Sequence, residues 1–221
     1  MAFTLIDVAN DILLKCGERP LPSLNNTIGA MVKSAIRTAL VDVCNLSDWY
    51  WARIETIATT WVGNIATLPE ITQRIRGVAY DAGGGRFDLL FIPESEFIKL
   101  PDSPYSDASN RAYYFSPITD KQVRISPYPT NTTEQAKIWF YITQWVDSPS
   151  TDSGVFTVIP DPYLELVIIR AAYLFGTDRS ADVAKLTEFN KQYEARALQL
   201  RGRNTAATSL GGNMYKGWRR A

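Results

Sequence analysis

Histidine is absent from all 221 residues. Its absence removes Ser-His-Asp and Cys-His catalysis, histidine metal sites and the side chain best suited to move protons near neutrality. Cysteine is nearly absent as well, with Cys16 and Cys44 the only two. They form no Cys-x-x-Cys element, so neither a disulfide framework nor a zinc site is expected. Both fall at apolar positions of expected helices and read as core packing. No apolar run approaches the roughly 20 residues that span a bilayer. The opening MAFTLIDVANDILLK breaks its apolar stripe at Asp7, Asn10 and Asp11 and has no basic leader, so it does not read as a signal peptide. The expectation is a chain made in a reducing cytoplasm, with no membrane contact, no metal and no cofactor.

Acidic residues are missing from the end of the chain. All 23 lie at or before Glu194, while Arg196, Arg201, Arg203, Lys216, Arg219 and Arg220 follow it. With 17 cations against 23 acids, the body carries −6 and the last stretch +6. From Thr205 onward no helical or strand period is legible, yet Leu210, Met214, Tyr215 and Trp218 are apolar. Trp, Tyr and Arg dominate binding hot spots, so 205–221 reads as an extended arm that docks on a partner surface. Gly211, Gly212 and Gly217 would let it bend.

What is present is 46% apolar and 12% aromatic, ample for a globular core. Leu5, Val8, Ala9, Ile12, Leu13 and Cys16 make one helical stripe, with Thr4 and Asp7 as a capping pair and Gly17 at the end. After a connector stiffened by Pro20 and Pro22, Thr27 caps a second helix with Met31, Val32, Ala35, Ile36, Ala39, Leu40 and Val43 on one face. From Trp49 the helical period gives way to β-rich pieces: Trp51–Val62, Ile75–Tyr80, Arg86–Phe91, Arg111–Phe115, Gln122–Ser126 and Lys137–Val146. Gly83 to Gly85 reads as a hairpin tip, and Pro93 to Leu100 as a short helix. Helical period returns after Pro160-Asp161-Pro162, with Leu164, Val167, Ile168, Ala171, Ala172 and Phe175 inward and Gly176 ending the run. Ser180 then caps a last helix to about Arg203, with Val183, Leu186, Phe189, Tyr193 and Leu200 inward. The expected fold is α+β: a helical bundle formed by the N- and C-terminal helices (1–48 and 159–204), an inserted antiparallel β-sandwich or barrel-like domain (49–158) and the extended C-terminal arm (205–221).

Chemistry-bearing constellations are sparse. Glu94, Glu96 and Asp102 bracket the short helix and allow a carboxylate-dependent reaction of the glycosidase kind, but acids in a first turn ordinarily complement the helix dipole. The triple glycine lacks the Gly-Lys-Ser/Thr ending of a phosphate loop. Asp7, Asp11, Asp178 and Asp182 lie near expected helix starts and read as caps rather than metal ligands. Trp49, Tyr50 and Trp51 sit together at the junction from helix to strand. Three such rings cannot all enter one core, so one or two are expected at a domain or subunit interface. Tyr113, Tyr114, Trp139, Tyr141 and Trp145 are explained by a β core.

The run Asn10-Asp11-Ile12-Leu13, then Gly17-Glu18, Pro20 and Ser23-Leu24, followed by an Ala-rich helix and by Trp49 and Trp51, resembles the head-to-tail adaptors of short-tailed bacteriophages, of the tail tubular protein A type. The likeness is sharp over about the first 55 residues and looser over Pro160 to Arg203. It implies a non-enzymatic virion protein, made in the host cytoplasm, that forms a ring, commonly of twelve copies, between the portal protein and the tail nozzle or tail tubular protein. DNA would pass through the lumen without sequence-specific binding during genome ejection. The resemblance also implies that the C-terminal segment grips the portal, which assigns Leu210, Met214, Tyr215, Lys216, Trp218, Arg219 and Arg220 to portal binding and leaves Trp49, Tyr50 and Trp51 for a subunit or domain interface. Two rival readings remain: a virion-associated, carboxylate-dependent peptidoglycan hydrolase using Glu94 or Asp102, and a helical-bundle binding module of the host.

Overall fold

Thr4 starts the first helix, α1 (Leu5–Cys16), through a capping box. Its hydroxyl accepts from the Asp7 amide at 3.2 Å, and the Asp7 carboxylate accepts from the Thr4 amide at 3.1 Å. Gly17 ends the helix at φ 83°, in the left-handed region that glycine enters without strain. The computed structural model describes residues 3–58, 60–81, 86–100, 114–128, 137–179 and 182–216, with side chains at the C-terminal end described as far as Thr205. After α1 come α2 (Thr27–Leu46), a 3-10 turn (Tyr50–Ala52) and strands β1 (Arg53–Ile57), β2 (Thr60–Val62), β3 (Ile65–Thr67), β4 (Thr72–Asp81), β5 (Arg86–Asp88) and β6 (Leu90–Phe91). The short α3 (Glu94–Phe97) precedes β7 (Tyr114–Thr119), β8 (Gln122–Ser126) and β9 (Lys137–Gln144), and α4 (Asp161–Asp178) and α5 (Val183–Lys216) complete the order. The chain divides into two units, Met1–Ala52 with Val146–Ala221, and Arg53–Trp145.

In the first unit α4 packs against α1, α2 and α5. Its burial is wider than the single stripe expected, since Leu166 and Ile169 are buried along with the predicted positions. A helix with neighbours on several sides must be apolar on several sides. It also runs two residues past Gly176, to Asp178. The Arg170 guanidinium links three helices: Nε donates to Asp42 of α2 at 2.7 Å, and the group lies 5.3 Å from the rings of Tyr173 on α4 and Tyr193 on α5. α5 buries Phe189, Ala197 and Leu200, whereas Val183, expected inward, is exposed in the first turn. Two caps differ from expectation. Asn26, not Thr27, caps α2, its Oδ1 accepting from the Gly29 amide at 2.7 Å; Thr27 is already the first helical residue, and its neighbour Asn26 supplies the cap. Asp182 accepts from the Ala184 amide at 3.0 Å at the start of α5, and the expected cap, Ser180, lies outside the described residues.

The proline-rich connector is held by side chains on both flanks. Asn10 of α1 embraces the Leu21 backbone, its Oδ1 accepting from the amide at 2.8 Å and its Nδ2 donating to the carbonyl at 3.1 Å. Asp152, far along the chain, accepts from the Leu24 amide at 2.8 Å and the Ser23 hydroxyl at 3.2 Å and pairs with Lys33 at 3.0 Å. Its backbone carbonyl accepts from the Ile6 amide. Gly29 packs so closely under the connector that a Cβ there would stand 2.5 Å from the Leu24 carbonyl oxygen. Residues 146–159 therefore belong to the helical unit, with Phe156 and Ile159 in its core, although helical period resumes only at Pro160.

Hydrogen bonds from the Leu24 amide, then from Lys33, hold the Asp152 carboxyl below its ordinary 3.8, and the Thr4 hydroxyl does the same for Asp7. A carboxyl lowered on folding contributes stability above its unfolded pKa and loses it as pH falls through the folded one. Melts of Asp152→Asn should lie below wild type at about pH 7, and the gap should shrink as pH falls below about 4. A gap that stays constant across that range would show that the carboxylate charge does not hold the connector.

The second unit contains two sheets, ordered β1-β9-β4-β5 and β2-β3-β8-β7-β6. All pairings are antiparallel except β6 with β7. Ala66, Val123, Ile125 and Phe115 of one sheet join Val78, Tyr80, Ile138, Phe140 and Ile142 of the other in one core. Two expected strands are each divided between sheets. Trp51–Val62 becomes the 3-10 turn, β1 and β2, and Arg86–Phe91 becomes β5 and β6 with buried Leu89 between them. A chain that crosses from one sheet to the other makes a corner, which alternation of residue types does not register. The parity of β9 also corrects an expectation: Ile138, Phe140 and Ile142 point into the core, so Trp139 and Tyr141 occupy the opposite face. There the Arg86 guanidinium lies 3.6 Å over the Trp139 ring and pairs with Glu55 at 2.6 Å. Gly83 to Gly85, Asp102 and Arg111 to Tyr113 lie outside the described residues.

Candidate functional site

Of the carboxylates considered for catalysis, Asp102 lies outside the described residues. Glu94 and Glu96 stand exposed in the first turn of α3, and Glu94 faces Arg124 at 3.6 Å. Among the described residues no group of Cys, Asp and Glu could hold a metal ion, and no helix is long and apolar enough to cross a membrane. Cys44 is buried and Cys16 half-buried, and burial raises both thiols.

The aromatic junction converges, and more tightly than three bulky neighbours suggest. Trp49 is fully buried and its Nε1 donates to the Val43 carbonyl at 2.6 Å. That carbonyl belongs to the last turn of α2, where no intrahelical donor remains. Trp49, Tyr50 and Trp51 place their ring centroids 5.1, 6.2 and 5.5 Å from that of Tyr163 on α4. All three thus share one partner, because the 3-10 turn rotates successive side chains about Tyr163 instead of alternating them as a strand would. Only Tyr50 is substantially exposed, at 45%. Burial, followed by the Tyr50 phenol, raises the Tyr163 phenol.

Asn204 of α5 closes this junction. It is 5% exposed; its Oδ1 accepts from the Tyr50 amide at 2.9 Å, and its Nδ2 donates to Ser47 Oγ at 3.2 Å and the Asp48 carbonyl at 3.1 Å. One amide therefore satisfies the turn that leaves α2 and ties that turn to α5. Sequence reasoning had no signal for it, since an asparagine in a helix interior has low propensity and no periodic role.

Beyond Asn204 the expected extended arm is replaced by helix. α5 is continuous to Lys216, so Leu210, Met214, Tyr215 and Lys216 lie on helical backbone, while Trp218, Arg219 and Arg220 lie outside the described residues. Once a helix exists, each added residue gains a hydrogen bond without a new nucleation cost, and Ala206, Ala207 and Leu210 favour it. Gly211 and Gly212 each oppose it by only about 1 kcal/mol. The Thr205 hydroxyl donates to the Arg201 carbonyl at 3.0 Å, four residues back, a side-chain bond that helical backbone brings within reach. No periodicity revealed this stretch because periodicity marks an apolar face, and 205–213 has none.

A family model described as SU10 adaptor protein matches residues 3–213, including both units and α5 past Asn204. No curated protein matches the chain. The motif residues that carried the early resemblance have architectural partners: Asn10 on Leu21, Gly17 capping α1, Glu18 on Arg179 at 3.1 Å, and Ser23 and Leu24 on Asp152. The chain belongs to the SU10 adaptor protein family, a family of phage head–tail adaptors.

Proposed function

We propose that this chain is the subunit of a ring, of the tail tubular protein A kind and commonly of twelve copies, that joins the portal to the tail in the virion and surrounds the path of the ejected genome. Adaptor membership implies a structural rather than an enzymatic role. The observation that carries the reading is α5, a 34-residue helix that is fastened to the core at Asn204 and runs on for about 18 Å. It bears Lys216 and the aromatic Tyr215 and leads to Trp218, Arg219 and Arg220. A rigid helix presents such a segment at lower entropic cost than an extended one. Repetition around a ring multiplies weak single contacts by avidity. The −6 body supports a conduit, because a lumen that attracted phosphates would retain DNA rather than let it slide.

Truncation after Ala207 keeps Asn204 in place and removes the segment. Binding to purified portals should weaken at least about tenfold, the loss expected when hot-spot aromatics and arginines go. Particle images of mixtures should then show portals without rings. A truncated chain that binds portals as tightly as the full one overturns the assignment of Leu210 to Arg220.

A further inference from the structure

On the helical unit a groove of about 370 Å³ opens between α1, the first turns of α4 and the middle of α5. Phe3, Pro162 and Ile168 give it apolar walls, and Phe3 is 39% exposed there. Asp11, Asp161 and Glu165 make the rim acidic. Glu165 is paired with Arg196 at 2.5 Å, whereas Asp11 and Asp161 have no ion-pair partner among the described residues. Asp161 complements the α4 dipole, but Asp11 lies in mid-helix, where that role does not apply.

Such a groove fits a segment in which aromatics alternate with cations, the rings filling the apolar walls and the cations answering the rim. The chain carries one: Tyr215, Lys216, Trp218, Arg219 and Arg220, with no acid after Glu194. It cannot reach the groove of its own subunit. Arg196 lines the groove, and Lys216 stands twenty residues farther along the same helix, about 30 Å away. Arg220, four residues on, recovers at most about 14 Å of that distance. We infer that the groove receives the 215–220 segment of a second copy of this chain. The contact joins unlike surfaces, so it propagates head to tail and closes into a ring when the rotation allows. Resting on the adaptor reading, it also stores each segment on a neighbouring subunit until a portal displaces it.

Zero-length carbodiimide coupling on a mixture of unlabelled and isotope-labelled full chains tests this. Mass spectrometry should find Lys216 joined to Asp11, Asp161 or Glu165, with about half of the pairs of mixed isotope, as random association of two copies requires. The yield should fall several-fold when salt rises from about 0.05 to about 0.5 M. Asp11→Asn with Asp161→Asn should lower coupling at the remaining Glu165 to the same extent, with melts reporting that the variant is folded. Absence of mixed-isotope pairs, or a Glu165 yield unchanged in the double variant, overturns the inference. Added portals should exchange groove cross-links for portal ones. Segment-dependent portal binding with no groove cross-link sinks the groove and spares the portal reading, and groove cross-links without segment-dependent portal binding do the reverse.

Discussion

Trp49→Ala should lower the stability of the chain by about 4 kcal/mol, the middle of the range for removing a buried aromatic. The side chain is fully buried among α2, the 3-10 turn and α4, and its ring meets Tyr163 edge-on at 5.1 Å. The loss has two parts that a second variant separates. Trp49→Phe keeps a ring against Tyr163 but removes the indole N–H, leaving the Val43 carbonyl at the end of α2 without its donor. An unsatisfied buried acceptor costs about 1–3 kcal/mol. Denaturant unfolding should therefore rank wild type above Trp49→Phe and that above Trp49→Ala, with unchanged slopes. Trp51→Ala should cost less than Trp49→Ala, because Trp51 is only half-buried and its Nε1 has no partner among the described residues. An alanine at position 49 that costs under about 1 kcal/mol would show that Tyr163 is not the hub of this junction.

The second large effect concerns Asn204. Asn204→Ala removes three hydrogen bonds at once and takes these partners from the Tyr50 amide and the Asp48 carbonyl in a half-buried place. A loss of about 1–2 kcal/mol follows from the three bonds lost at a half-buried site. The functional consequence is more specific than the loss of stability. With the turn at Ser47 to Tyr50 no longer tied to α5, amide hydrogen exchange in 205–216 should accelerate before that of α1 or α4, since local opening needs only the clamp to fail. Portal binding should weaken although no residue from Leu210 onward has changed. Asn204→Asp supplies a pH test. Its carboxylate can still accept from the Tyr50 amide but cannot donate to Ser47 or Asp48, and burial raises its pKa. Protection in 205–216 relative to wild type at the same pH should therefore recover as pH falls and the protonated acid regains a donor. Equal exchange rates in 205–216 for wild type and Asn204→Ala would remove Asn204 from the mechanism.

Local physics made some elements plain in the sequence. α1 was visible because an apolar stripe, a capping box at Thr4 and Asp7, and Gly17 all mark the same boundaries. α2 was visible from its stripe, while its cap shifted by one residue because asparagine and threonine can both serve. Other features depend on partners distant along the chain. Asn10 meets Leu21 eleven residues away, Asp152 meets Leu24 across 128 residues, and Asn204 meets Tyr50 across 154. Neither spacing nor propensity encodes such pairs. The candidate site divides in the same way: the aromatics and cations could be named from composition, but their support could not.

The sequence by itself determined that the chain is α+β, with helices at both ends of a β-rich middle, because apolar period and turn residues are local properties of a segment. Its ordered motif from Asn10 to Leu24 also pointed to the adaptor family. Only the tertiary structure decided that Trp139 faces away from the β core, that Trp49, Tyr50 and Trp51 share Tyr163, and that α5 continues as helix past its clamp. Each of those outcomes turns on which distant surface meets a residue, and that is settled by packing the whole chain at once rather than by any window of it.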